Sequence, residues 1–136
     1  MNNNQSFTTQ LRQANIRPTQ QRLGLAGLLF QNGPRHFTAE SLHEEALAAN
    51  MNVSLATVYN TLHQFTKAKL IREVGWFAGR LVFDSNVAPH YHFVLPEGDK
   101  LRDIAKEQIM FSQLPEAPPG TEIDRIEVTV HLKKSA

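Results

Sequence analysis

Two histidines standing two residues apart, His90 and His92, open a stretch that reads as a β-strand, so both imidazoles emerge on one face. Asp84 lies shortly upstream, across a polar segment, and Asp103 falls on the next expected strand. His36 precedes the cap of the second long helix. Imidazole nitrogens combined with carboxylate oxygens form a donor set suited to Zn(II), Mn(II) or Fe(II). The same spacing also suits a solvated or capping pair, and a bare His-x-His does not decide between them. Two histidines with Asp84 further match the facial triad of a non-haem iron oxygenase. Such enzymes need a larger barrel with a substrate cavity, for which the rear of this chain has little room, so no enzyme is expected. His43 and His63 fall inside helices as surface or interface residues, and His131 alternates away from the buried face of its strand.

The rest of the 136-residue composition narrows the chemistry. There is no cysteine, which excludes a disulfide scaffold, a thiol nucleophile and every thiolate-held zinc or iron–sulfur site. With 41% hydrophobic and 20% charged residues the chain is globular. It has no apolar run long enough to span a membrane and no signal-peptide pattern at MNNNQSFTTQ, so a soluble cytoplasmic protein without a membrane partner is expected. The net charge of +1 is unevenly spread. Eight Lys/Arg against four acids through Leu81 make the front +4, and six against nine from Val82 onward make the rear −3. A basic front suits an anionic partner.

The elements that must carry these residues are helical at the front. Residues 7–14 read as a short polar turn or helix ending before Arg17-Pro18. Thr19 caps an apolar helix stopped by Asn32-Gly33-Pro34, and Thr38 caps residues 39–49 with Glu40 in the first turn. After a tight connection at 50–53, Ser54 caps residues 55–68. On that helix Leu55, Val58, Leu62 and Phe65 form an apolar face, while Thr57, Tyr59, Asn60, Thr61 and Gln64 fill the remaining surface with short uncharged donors and acceptors. Such groups fit base edges in a major groove. The pattern is that of a helix-turn-helix, with an ordinary helical hairpin as the plainer reading. Two short strands, 71–74 and 80–83, flank residues 75–79 and would form a wing. Thr57, Tyr59 and Asn60 are the candidate base readers, with Arg17, Arg22 and Arg80 for phosphates.

The rear changes character. Residues 84–89 form a polar hinge, 92–95 and 101–104 read as strands, and 105–111 as a possible helix. The LPEAPPG stretch at 114–120 is too proline-rich for regular structure. Ile126, Val128, Val130 and Leu132 alternate with polar residues in a strand with one buried face. A core this small is marginal alone, and pairing with a second copy would supply the missing burial. The expected architecture is α+β. A winged helix-turn-helix DNA-binding domain occupies residues 1–83, a hinge 84–90, and a small α/β dimerisation and sensing domain 91–136.

The stretch from Arg17 to Phe83, with RPTQQRL, HFTAESLHEEA and SLATVYNTLHQFTKAKLI, closely resembles the DNA-binding domain of the ferric uptake regulator (Fur) family. The resemblance continues through Asp84 and His90-Tyr91-His92 to Asp103. SLATVYNTLHQF, the cysteine-free rear and LPEAPPG look most like its iron response regulator branch, which senses haem status and controls iron uptake and haem synthesis genes. The resemblance implies a dimeric transcriptional regulator or repressor on a pseudo-palindromic AT-rich operator. It also implies a regulatory metal site of His36, Asp84, His90, His92 and Asp103, drawn from both halves so that bound metal would fix the angle between them. The alternative within the family is a direct Mn(II), Fe(II) or peroxide sensor, with oxidation at His36 or His90. Departures follow too. Leu95 and Gly98 stand where many relatives carry the first cysteine pair of a structural zinc site held by two such pairs, so that site is not expected. Tyr91 and Ile126 remove a further metal site of some relatives, and no Cys-Pro haem motif is present. For haem, the ligands expected are His90 or His92, helped by Tyr91.

Overall fold

The computed structural model describes residues 3–136, with side chains from Ser6 onward. It divides into two compact units, one ending at Val87 and the other beginning at Ala88. Among the described residues no helix is long and apolar enough to cross a membrane.

Among the described residues the front unit holds four helices: α1 (Asn3–Gln13), α2 (Gln20–Phe30), α3 (Ala39–Ala48) and α4 (Leu55–Lys67). Each of the last three starts where a hydroxyl caps it. Thr19 Oγ1 accepts from the Arg22 amide at 3.2 Å, and Ser54 Oγ accepts from the Thr57 amide at 3.1 Å. Thr38 goes further, exchanging bonds with Ser41 so that each side chain satisfies the other's amide at 3.0 Å. These bonds consume donors that a helix start would otherwise leave without a partner.

Three helices also end alike. Asn15, Asn50 and Lys69 take left-handed backbone angles near φ 60° after α1, α3 and α4. The following amides of Ile16, Met51 and Leu70 then reach back to Leu11, Ala46 and Phe65 carbonyls at 2.8–2.9 Å. Each is a Schellman turn that tucks an apolar residue under its own helix. Asparagine tolerates this conformation well, whereas Lys69 does so at a cost.

Leu11, Leu25, Leu29, Leu42, Val58, Leu62 and Phe65 are wholly buried in one core, with the Phe30 and Phe65 rings stacked at 6.4 Å. Burial of each such side chain contributes roughly 1.5–3 kcal/mol before entropy is counted. On α4 the structure corrects two expectations. Thr61 is buried and does not belong to the polar surface, and Leu55 at the first turn is exposed. Core packing selects Val58, Thr61, Leu62 and Phe65, a stripe rotated slightly from the one drawn through Leu55. A Cβ at Gly24 on α2 would meet Met51 Cε at 2.6 Å, so a larger residue there would require the flexible Met51 side chain to move.

A three-stranded sheet completes the front unit. Strand β2 (Arg72–Phe77) and strand β3 (Arg80–Asp84) form the expected hairpin, lengthened at both strands and bulged between Glu73 and Gly75. Ala78 (φ 51°) and Gly79 (φ 77°) make a two-residue turn whose positive angles match the twist of the strands. A short strand not foreseen in the sequence, β1 (His36–Thr38), pairs antiparallel with β3 and gives the order β1-β3-β2. Helix-turn-helix followed by a hairpin is the winged-helix plan.

In the rear unit, β4 (His90–Val94) lies between antiparallel β5 (Leu101–Ala105) and parallel β6 (Thr129–His131). The expected helix at 105–111 is a single 3₁₀ turn, Lys106–Gln108. The expected strand at 126–132 forms regular ladder only over Thr129–His131, because Val130 is merely half-buried and little core rewards further pairing. Residues 114–120 hold no helix or strand. Val94 and Ile104 are the buried apolar residues here, while Met110, Phe111, Leu114, Ile123 and Leu132 are exposed.

Candidate functional site

In the front unit, strand pairing builds one half of the predicted ligand set. His36 opens β1, Asp84 closes β3, and the two are cross-strand partners. His36 Nε2 lies 3.2 Å from Asp84 Oδ2. The other carboxylate oxygen, Oδ1, accepts the Asn86 amide at 2.8 Å, which holds the carboxylate in orientation. Asp84 is only 1% exposed and closes strand β3.

Residues next to the pair lock it further. The Arg35 amide donates to Ser85 Oγ at 2.8 Å, and the Ser85 amide donates to the Arg35 carbonyl at 3.0 Å. The Arg35 guanidinium forks onto Glu45 of α3, with Nη1 to Oε1 at 2.7 Å, and lies over the Phe37 ring. The Glu45 hydrogen bond raises the Arg35 pKa above its ordinary value, against the opposing effect of burial. The Arg35–Glu45 pair thus ties the residue preceding His36 to α3, the first helix of the helix-turn-helix. Sequence reasoning missed Arg35, Glu45 and Ser85, for their pairing depends on β1, which is too short to show alternation.

In the rear unit, β4 places the imidazoles of His90 and His92 on one face with ring centroids 4.6 Å apart. Asp103 of β5 is directly opposite His92 in register. Its Oδ1 lies 3.4 Å from His90 Nε2 and 3.5 Å from His92 Nε2. His90 Nδ1 lies 2.7 Å from the Ala88 carbonyl, which can only accept a hydrogen bond, so Nδ1 carries the proton. That bond sets the tautomer, so a neutral His90 turns an Nε2 lone pair toward a carboxylate oxygen. Two imidazole nitrogens and a carboxylate oxygen converging in this way are a donor set for a cation, and the fixed tautomer is the arrangement metal-bound histidines use. The Ala88 carbonyl left no trace in the sequence, since any residue supplies it.

Tyr91 sits on the opposite face of β4 from both histidines and packs edge-on against Phe111 at 6.2 Å. Strand alternation therefore prevents it from sharing one haem iron with His90 or His92, which corrects that expectation. Of the other histidines, His43 is tied through Nε2 to the Val53 carbonyl at 2.9 Å, while His63 and His131 are exposed.

The candidate nucleic-acid groups all lie in the front unit. Tyr59 and Asn60 are exposed on α4, Thr57 is half-buried beside its cap, and Arg80 is exposed at the hairpin turn. Arg22 Nη1 donates to the Arg17 carbonyl at 2.8 Å, and the two arginines line a cleft of about 320 Å³ with Gln64 and Lys67. The Tyr59 hydroxyl donates to Glu40 Oε2 at 2.8 Å. That bond raises the phenol's pKa above the usual value, helped by burial and the Glu40 charge, while the Arg80 charge acts in the opposite direction.

This architecture and sequence match the ferric uptake regulator family over residues 13–131. The chain belongs to that family. Among relatives of this Fur-family chain, the peroxide-responsive repressor PerR of Staphylococcus aureus (strain Mu50 / ATCC 700699) is 31% identical over 99 residues. That alignment covers 73% of this chain and 66% of the repressor, just under two-thirds of its length. The Pseudomonas aeruginosa ferric uptake regulator, solved with manganese, has a TM-score of 0.73 at 22% identity, covering 95% of this chain and 98% of its own. The Vibrio cholerae Fur structure has a TM-score of 0.71 at 20% identity, covering 94% and 99%. These likenesses establish the shared α+β fold.

Proposed function

We propose that this Fur-family chain is a DNA-binding transcriptional regulator without enzymatic activity, controlled by a divalent metal ion. The observation that supports it most is the convergence of oriented N and O donors in each unit: His36 with Asp84, and His90 and His92 with Asp103. In this reading the two groups are halves of one centre. Asp84 and His90 are six residues apart in the chain, a span of at most ~20 Å when extended. A divalent ion held by both groups would supply positive charge among these donors and so favour one disposition of the two units.

Residues 1–83 serve as the winged-helix DNA-binding domain, 84–90 as hinge, and 91–136 as dimerisation and sensing domain. The exposed apolar side chains of the rear unit support a homodimer. A two-fold dimer presents two α4 helices to half-sites about one helical turn apart, as a pseudo-palindromic AT-rich operator requires, and fixing the angle between units sets the affinity. Thr57, Tyr59 and Asn60 contact bases, while Arg17, Arg22 and Arg80 contact phosphates. The absence of cysteine, with LPEAPPG, supports the iron response regulator branch and control of iron uptake and haem genes.

A second reading, peroxide sensing at the same centre, draws on the 31% identity to PerR. Bound Fe(II) with peroxide would then add oxygen to His36 or His90, visible by mass spectrometry. The experiment for the main reading is operator binding by purified protein, with Mn(II), Fe(II), Zn(II) or haem added separately. A saturable change in DNA affinity with a divalent ion supports it. A response to haem alone, with a saturable Soret change, transfers the effector role to haem, and no response to any addition overturns the regulatory reading.

A further inference from the structure

Resting on the DNA-binding reading above, we infer that Glu40 determines which base edge Tyr59 reads, by taking the phenol's only proton. Tyr59 is exposed on α4, yet its hydroxyl is committed: it donates to Glu40 Oε2 at 2.8 Å. A phenol has one O–H to give, and its oxygen can then act only as an acceptor. Glu40 is well held for this role. It stands in the first turn of α3, where the helix dipole favours a negative charge, and the Thr38–Ser41 capping box fixes that turn. Its other oxygen, Oε1, is shielded from solvent and accepts no hydrogen bond among the described residues, so Tyr59 is the partner this carboxylate has in the unit.

The consequence is chemical. In the major groove, acceptors are guanine N7 and O6, adenine N7 and thymine O4, whereas donors are the amino groups of adenine N6 and cytosine N4. A Tyr59 whose proton is held by Glu40 accepts from adenine N6 or cytosine N4. It discriminates against edges offering only acceptors, and its ring remains free to pack on a thymine methyl. Glu40 also sets a negative charge beside the reading face, which disfavours close approach of phosphates. It acts through Tyr59 and is a positioning residue.

The test uses the full chain with Mn(II), a duplex library carrying a randomised central segment, and sequencing of the bound fraction. Wild type enriches a two-fold motif with A or C opposite Tyr59 in each half-site. Tyr59→Phe loses that preference, about fivefold or more at one symmetry-related pair of positions, and keeps the rest of the motif. Glu40→Ala frees the proton, so guanine or thymine rises at those same positions. Glu40→Gln retains an acceptor at the same reach and keeps the wild-type preference. An unchanged motif in Glu40→Ala overturns the inference while leaving DNA binding intact, and so does loss of the preference in Glu40→Gln. A wild-type chain that enriches no motif overturns the DNA-binding reading, and the inference with it.

Discussion

Arg80 offers the sharpest quantitative test of the proposed DNA binding. It is exposed at a two-residue turn whose backbone is set by Ala78 and Gly79, and no ion pair holds its guanidinium among the described residues. Removing it should therefore leave the fold within about 0.5 kcal/mol of wild type. Three arginines per protomer, Arg17, Arg22 and Arg80, would place six phosphate contacts under a dimer. Each released counterion contributes about −0.9 to the slope of log affinity against log salt, for a total near −5. Between 50 and 200 mM salt, wild type should then lose about 10³-fold in affinity. Arg80→Ala removes two contacts at once, reduces the slope by about 1.8, and cuts that loss to about 10²-fold. Fluorescence anisotropy on a labelled duplex across that salt range measures both slopes. A slope unchanged in Arg80→Ala, with the fold intact by circular dichroism, refutes the placement of the wing on the backbone.

Other outcomes follow from local geometry. Thr38→Ala removes the acceptor for the Ser41 amide and should cost about 1 kcal/mol, measured by urea denaturation. Lys69→Gly relieves a left-handed lysine and should add about 0.5–1 kcal/mol, since glycine's greater unfolded freedom offsets part of the relief. The raised pKa of Tyr59 implies that its bond to Glu40 contributes fully below pH ~10 and is lost as pH rises through the folded-state value. Titration at 295 nm in a Tyr91→Phe background should show that midpoint above the ordinary phenol value, and Glu40→Ala should lower it.

Much of this was legible in the residues themselves. Helix starts were, because Thr19, Thr38 and Ser54 each bring a hydroxyl that caps whatever follows. So was the shared face of His90 and His92, which needs only a strand and a spacing of two. What stayed hidden depended on partners distant in sequence. Strand β1 exists because β3 offers it a ladder, and without β1 nothing in the spacing connects His36 to Asp84. Tyr59 could be picked out as a surface polar group, but the direction of its hydroxyl depends on Glu40, nineteen positions away. The shortened strand at 129–131 failed expectation for a different reason: alternation marks which side chains share a face, and the rear unit has too little core to bury that face.

Titration of Mn(II) into the purified protein, alongside His36→Ala and the double variant His90→Ala/His92→Ala, tests the central claim most directly. One centre built from both halves predicts a single Mn(II) per protomer, with affinity lost in each variant and the metal-dependent change in DNA binding lost with it. Unaltered Mn(II) affinity and DNA response in His36→Ala would contradict it, leaving the donors of the rear unit as the whole site.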